Sequence, residues 1–517
     1  DWTENALGRF DRTYDGVTPR LTQTVAQTTG HTTNYSYFGN DHDRRLQTLQ
    51  NLAPGGANLS RFDYTYDVEG QIMSWNRQLG TTTSGRWFDY DDARQLLSAR
   101  NALFPSAATE VNGFVYDNAG NRTSDSHFNS QGLGGNGTFH TYTPNEVNQI
   151  DSFETQQGSG RPSSADLTYD FAGNLTDDGQ GKTFEWDGAG RLIAINYGGT
   201  GDRSEFLYDG LGRRVQILEK TGATVTSTKQ FVWVGNRIAQ ERDERNAITR
   251  QNFAEGEFRE RSYYYARDHL GSIRELTSSG GGLAVRYDYD PYGQRTKVSG
   301  SDDVDFGYTG HYFHQPSGLN LTLYRVYSPA MGRWISKDPI GENGGVNLYA
   351  YVGNAAIGRT DPLGLCQAPV YNPSVWNDPA YVGINNCYSY ACDVRHATPS
   401  PGTITPQPGG ESGAPVSTND CAILRAAAKR DGLQDANAAG NCPKCYHKVR
   451  LYAGDHVHQP GSPDDLGRDY HWYRQDSNGR WSSKHGLDPV GPQVPDPDTD
   501  ANSWGYDVEC GTMCARD

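Results

Sequence analysis

Not one cysteine occurs in the first 365 residues of this chain, whereas all eight (Cys366, Cys387, Cys392, Cys421, Cys442, Cys445, Cys510 and Cys514) fall in the 152 that follow. That step in composition places a domain boundary near residue 365. Long apolar runs are missing as well. No segment has the length of a membrane-spanning helix, and no N-terminal signal peptide is present. The chain starts at Asp1 without a Met and reads as a fragment or a processed product. Lysine and arginine form no runs, and the net charge of −16 divides into −10 before residue 366 (34 basic against 44 acidic residues) and −6 after it (12 against 18). An acidic surface repels phosphates, so neither part is expected to bind nucleic acid. Hydrophobic residues make up only 35% of the chain, but 32 Tyr, 17 Phe and 10 Trp supply apolar area with polar edges, which excludes a disordered composition.

Helical periodicity is nearly absent before residue 365. A drifting repeat stands in its place: an aromatic residue, usually an Asp, and after a short interval often Gly-Arg or Gly-Asn and an apolar position. Good copies are VYDNAGNRT at Tyr116, TYDFAGNLT at Tyr169, EWDGAGRLI at Trp186, LYDGLGRRV at Tyr208 and YDPYGQRT at Tyr289; weaker ones start at Tyr66 and Tyr90. The flanking segments alternate with period two and read as strands, and the Asp-x-x-Gly stretch supplies a turn residue that tolerates positive φ. One hairpin alone is marginal, so neighbours must pair edge to edge into a long sheet. Seven scattered histidines before residue 365 show no metal spacing, and GLGGNG at Gly132 lacks the helix a phosphate loop needs.

The tyrosine-aspartate repeat resembles the YD repeat of the RHS-repeat proteins, which include the C subunits of bacterial insecticidal toxin complexes and RHS effectors of type VI secretion. The stretch GLNLTLYRVYSPAMGRWISKDPIGENGGVNLYAYVGNAAIGRTDPLGL, Gly318 to Leu365, is similar to the core-associated cap of that family. The resemblance implies a mainly β fold: a YD-repeat sheet spiral over residues 1–317 forming a hollow cocoon, a cap over 318–365, and a small α+β toxin domain over 366–517. It also implies partners: the chain's own cleaved toxin fragment inside the shell, a secretion apparatus or toxin-complex partner, and a cognate immunity protein. The product would be secreted or injected into target cells.

Asp-Pro-x-Gly occurs twice near the boundary, at Asp338 and Asp361. By themselves these are ordinary turns. In the family the same region is an intramolecular aspartyl protease that cuts after the Leu of Asp-Pro-x-Gly-Leu. Carried over by motif, Asp338 and Asp361 are the catalytic pair, Arg325 the supporting cation and Leu365–Cys366 the scissile bond, while Arg333 reads as structural. Two nearby carboxylates suit that chemistry because one can stay ionised while the other holds a proton.

The last 152 residues contain a loop-like stretch over 398–418, a helix over 417–432 with Thr418 or Asn419 as its cap, and strands around HKVRLYAG and DYHWYRQDSNGRWSSK with a hairpin over Asn478-Gly479. Cys387 follows two asparagines at a helix start, which favours thiolate. His471 lies on a later strand and His485 on its hairpin partner. That order resembles papain-like and NlpC/P60-like cysteine hydrolases and gives Cys387 as nucleophile, His471 as base and His485 as orienting group, acting on a target-cell protein or amide. Cys442, Cys445, Cys510 and Cys514 could instead hold a structural zinc, with reduced thiols or a disulfide as the alternatives, the chain otherwise requiring no cofactor. His456 and His458 could bind metal or substrate. The alternative readings of the domain are a nuclease, a zinc-dependent deaminase or a non-enzymatic binding module. The lack of a His-x-Glu partner argues against deaminase and the acidic balance against nuclease.

Overall fold

The computed structural model describes residues 1–15, 20–39, 45–68, 70–102, 108–129, 137–339, 341 and 347–365, and from there on 387–392, 408, 416, 420–431, 433–436, 446–454, 469–475, 481–484, 490–491, 493–494, 496–503, 506 and 508–516. It divides into two compact units, one holding 1–15, 20–37 and 46–365, the other 366–517 with the short segments 16–19 and 38–45.

Among the described residues of the first unit, strands pair strictly in chain order. One 14-stranded sheet runs from Trp2–Asn5 to Ser163–Asp166, and a second from Thr168–Tyr169 to Arg295–Gly300; four short strands between Tyr312 and Trp334 form a third. Every pairing is antiparallel, as hairpins laid edge to edge require. The chain is mainly β, in the fold class that the repeat implies.

The repeat can now be explained residue by residue. The aromatic group bonds back to the preceding hairpin: Tyr208 Oη donates to Leu192 O at 2.7 Å, Tyr116 Oη to Leu96 O at 2.8 Å, and Trp186 Nε1 to Leu175 O at 2.7 Å. The Asp closes the turn. Asp209 Oδ1 accepts the N–H groups of Leu211 and Arg213, both at 2.9 Å, and Oδ2 accepts Arg213 Nε at 2.8 Å. Position five therefore favours a side-chain donor, and Asn121, Asn174 and Gln95 bond their own turn aspartates in the same way. Gly212 sits at φ +76°, where a side chain is strained. Tyr208→Phe is expected to cost about 1 kcal/mol through the lost hydroxyl bond. Gly212→Ala should cost about 1–2 kcal/mol through backbone strain. Both would be read as shifts in the urea unfolding midpoint, and a neutral result for both would refute this account of the motif.

Apolar side chains of both large sheets and of the closing segment share one core, including Phe62, Trp75, Ile273, Tyr287, Tyr327, Trp334 and Tyr351. Burial of that closing segment fixes the backbone on which both Asp-Pro turns sit.

In the second unit, five strands pair in the order Gln434–Asp435, Val508–Arg516, Tyr446–Gly454, Asp469–Gln475, Trp481–Ser483. The helix runs from Cys421 to Arg430 and is capped by Asp420, whose carboxylate accepts from Ala422 N and Ile423 N at 2.8 and 3.0 Å. The cap is thus Asp420 rather than Thr418 or Asn419, because a carboxylate adjacent to the first turn reaches its free N–H groups. Residues 476–480, with the expected Asn478-Gly479 turn, lie outside the described residues, but the flanking strands pair with Tyr473 opposite Ser483.

Candidate functional site

The two Asp-Pro-x-Gly segments are turns of one design. Gly341 N donates to Asp338 O at 2.9 Å and Gly364 N to Asp361 O at 3.4 Å, and both glycines have positive φ, +65° and +74°. At the second turn a β-carbon on Gly364 would collide with Thr322 Oγ1, so the position requires glycine twice over. Asp361 Oδ1 accepts the N–H groups of Gly364 and Leu365 at 2.9 and 2.8 Å. The carboxylate thereby folds the chain leading to Leu365 back over itself.

Arg325 joins the two turns. Its Nη2 lies 2.8 Å from Asp338 Oδ2, 3.1 Å from Asp361 Oδ2 and 3.3 Å from Leu365 O. Nε donates to Gly364 O at 2.6 Å, Nη1 to Leu348 O at 3.3 Å, and the guanidinium lies 4.3 Å from the centre of the Trp334 ring. The two Oδ2 atoms are consequently no more than 5.9 Å apart, the sum of 2.8 and 3.1 Å. Arg325, Asp338 and Asp361 expose only 4%, 6% and 3% of their surface, so these charges interact with little screening. Burial pushes the Asp361 carboxyl up to about 6, against the opposing pull of Arg325 and of the two backbone N–H donors. Burial likewise draws Arg325 below its ordinary value, with Asp338 and Asp361 opposing.

One guanidinium therefore holds two carboxylates and the carbonyl of Leu365 together. Such a site can polarise that carbonyl and set two carboxyl groups near it, one of which, Asp361, burial inclines to hold a proton. Cys366 lies outside the described residues. Arg333 packs over Tyr349, 5.1 Å from the ring centre. Trp334 under Arg325 and His311 behind Asp361 were not named from the sequence: Trp334 carries no mark of its role within the cap-like stretch, and His311 precedes that stretch.

Among the described residues of the second unit, Cys387 and His471 belong to different side-chain clusters. Cys387 opens the helix Cys387–Ala391 and is buried with Tyr388, Leu424, Val449, Leu451, Tyr470 and Trp472; its Sγ is 4.0 Å from Tyr470 O. The His471 ring instead stacks on Tyr506 at 5.2 Å and meets Tyr473 edge-on at 4.9 Å, in company with a separate cluster of Tyr452, Tyr473, Trp481 and Tyr506. Side chains alternate along a strand, so Tyr470 and Trp472 face the helix while His471 and Tyr473 face the other side of the sheet. That placement lends the expected Cys387–His471 pair no support. His485, Cys442, Cys445, His456 and His458 lie outside the described residues.

Two members of the expected four-thiolate zinc set are bonded otherwise. Cys510 is joined to Cys421 in a disulfide and Cys514 is disulfide-bonded as well, and a sulfur in a disulfide is not available as a thiolate ligand. Among the described residues, Cys387 and Cys392 are the cysteines outside a disulfide.

Comparison with known proteins agrees with the repeat. The Teneurin YD-shell family model matches residues 40–355. The chain is 27% identical over 445 residues to double-stranded DNA deaminase toxin A of Burkholderia cenocepacia, an alignment covering 76% of this chain and 29% of that protein. It is 27% identical over 231 residues to the tRNA3(Ser)-specific nuclease WapA of Bacillus spizizenii, covering 41% of this chain and 10% of that one. The chain thus spans less than a third of the length of these curated relatives. Among solved structures, the crystal structure of TcdB2-TccC3-Cdc42 matches with a TM-score of 0.50 and 17% identity over 70% of this chain and 21% of that one, a likeness of fold. With repeat, fold and more than half of its residues in agreement, the chain belongs to the YD-shell family.

Proposed function

We propose that residues 1–365 are a toxin-family shell that cuts its own chain between Leu365 and Cys366, with Asp338 and Asp361 as the catalytic carboxyls and Arg325 as the positioning cation. The observation that carries the reading is the single Arg325 nitrogen touching both carboxylates and the Leu365 carbonyl. Arg325 draws electron density from that carbonyl. One carboxylate takes a proton from an attacking water, the tetrahedral carbon collapses, and the other carboxyl gives its proton to the departing nitrogen of Cys366. Water is added across one peptide bond, so a new carboxyl at Leu365 and a new amine at Cys366 are the products.

Residues 366–517 are then the freed cargo, an effector for a target cell. The names of relatives that share the shell, a deaminase toxin and a tRNA nuclease, support an enzymatic cargo. Delivery through a secretion apparatus or toxin-complex partner and protection of the producer by an immunity protein complete the reading. A thiol hydrolase built on Cys387 would need a base other than His471.

Purified chain should yield a C-terminal fragment whose first residue is Cys366, identified by intact mass and N-terminal sequencing. The rate should also depend on pH in a direction that the Asp361 carboxyl sets. It holds its proton below pH about 6 and loses it above. If it protonates the leaving nitrogen, the rate falls about tenfold per pH unit above that point. A quenched time course from pH 5 to 8 reads this, and a rate that is flat or rising above pH 6 would remove Asp361 from the acid role.

A further inference from the structure

Fifty residues before Asp361, His311 is buried at 2% exposure among four aromatic rings, those of Tyr308, Tyr327, Trp334 and Tyr351, with ring centres 6.3 to 6.5 Å away. Its own backbone is fixed, since His311 N donates to Tyr308 O and Gly307 N donates to His311 O, both at 2.9 Å. Its Nε2 lies 2.9 Å from the main-chain oxygen of Asp361 and 3.1 Å from Thr309 Oγ1. A carbonyl oxygen can only accept, so the ring proton is on Nε2. Nδ1 is buried and has no hydrogen-bond partner among the described residues. A second proton there would be a charge in an aromatic cage, and burial accordingly lowers the imidazole to about 4. The ring is a neutral, constant donor across the range in which Asp361 titrates.

Asp361 is thus held at three points. Its Oδ1 is fixed by Gly364 N and Leu365 N, its Oδ2 by Arg325, and its peptide oxygen by His311. The first two contacts lie within the turn and the cation that bear the scissile carbonyl, and would move with them. The third ties that assembly to the strand Tyr312–His314 next to it.

Resting on the self-cleavage reading, we infer that His311 is a positioning residue: its Nε2–H anchors the Asp361 peptide so that the carboxylate and the Leu365 carbonyl meet at Arg325. It takes no proton from the reaction. Misplacing reacting groups by about 1 Å costs on the order of a hundredfold in rate, so the anchor is expected to show in kinetics before it shows in stability.

The test is the cleavage rate of the full chain, followed by pulse-chase after cell-free synthesis. His311→Leu should slow cleavage about a hundredfold. His311→Gln, whose amide nitrogen can reach the place of Nε2, should stay within about tenfold of the parent and keep the same fall in rate above pH about 6. Should His311→Leu fail to fold, His311→Asn against His311→Gln decides: the amide one methylene shorter should be at least about tenfold slower, and equal rates overturn the inference. Parent-like cleavage of His311→Leu overturns it too, as does a folded His311→Gln chain that is as slow as the Leu variant. Asp361→Asn is run alongside: if that chain is cut, the self-cleavage reading itself fails, whereas an uncut Asp361→Asn beside a normally cut His311→Leu sinks the positioning role alone.

Discussion

Asp361→Asn and Asp338→Asn chains are each expected to stay whole where the parent chain is cut after Leu365. Asn keeps the shape of Asp, and at position 361 its amide oxygen can still accept from Gly364 N and Leu365 N, so the turn should survive. What is lost is the ability to take or give a proton. A positioned acid or base contributes about 10² to 10⁴ in rate, so the loss should turn a cut that completes during expression into one invisible over hours. Arg325→Lys is expected to fail for a geometric reason. The guanidinium reaches Gly364 O and Leu348 O with Nε and Nη1 while Nη2 meets three oxygens, and an ammonium cannot span that set from one atom. Gel mobility and intact mass of the purified chains are the readout. Normal cleavage in either Asp variant would exclude that residue from the chemistry.

Where periodicity or a motif decides the outcome, the sequence was sufficient. Alternation around Tyr116, Tyr208 and Tyr289 specified strands, and Asp-x-x-Gly specified the turn because few other residues fit a positive φ beside a side-chain acceptor. Repetition located the two turns at Asp338 and Asp361, but their expected role came from the family resemblance alone. Contacts made across long separations carry no such mark. The His311 bond to Asp361 joins positions whose proximity is settled only by packing of the closing segment.

The second unit shows the limit more sharply. YHWY shows that His471 lies among aromatic residues, but not which face of the sheet it takes, and a helix laid on one face leaves every second side chain out of reach. Cysteine count was likewise silent on pairing. Cys421 and Cys510 meet because the capped helix packs on the strand Val508–Arg516, where Arg425 Nη1 also donates to Cys510 O at 2.8 Å. Spacing had grouped Cys510 and Cys514 with Cys442 and Cys445 as metal ligands, and nothing in it pointed to Cys421 as the partner of Cys510.

Reduction is the second large effect expected, and it should strike one unit alone. The Cys421–Cys510 bridge spans 89 positions. Closing a loop of that length in the unfolded chain is worth about 4–5 kcal/mol in the chain-entropy model, an upper figure where native strain or residual structure intervenes. For a domain of this size that corresponds to a fall of about 10–20 °C in the thermal midpoint of residues 366–517. Cys421→Ala with Cys510→Ala should reproduce most of the fall without reductant, and the disulfide at Cys514 accounts for any further loss when reductant is added to that variant. The cysteine-free residues 1–365 provide the internal control, because their transition in the same scan has no thiol through which to respond. A reductant-insensitive midpoint for the second unit would show that its fold stands without the bridge. A midpoint that falls as expected would mean that residues 366–517 reach full stability only where thiols are oxidised, so the redox state of their surroundings would set how much of the unit is folded.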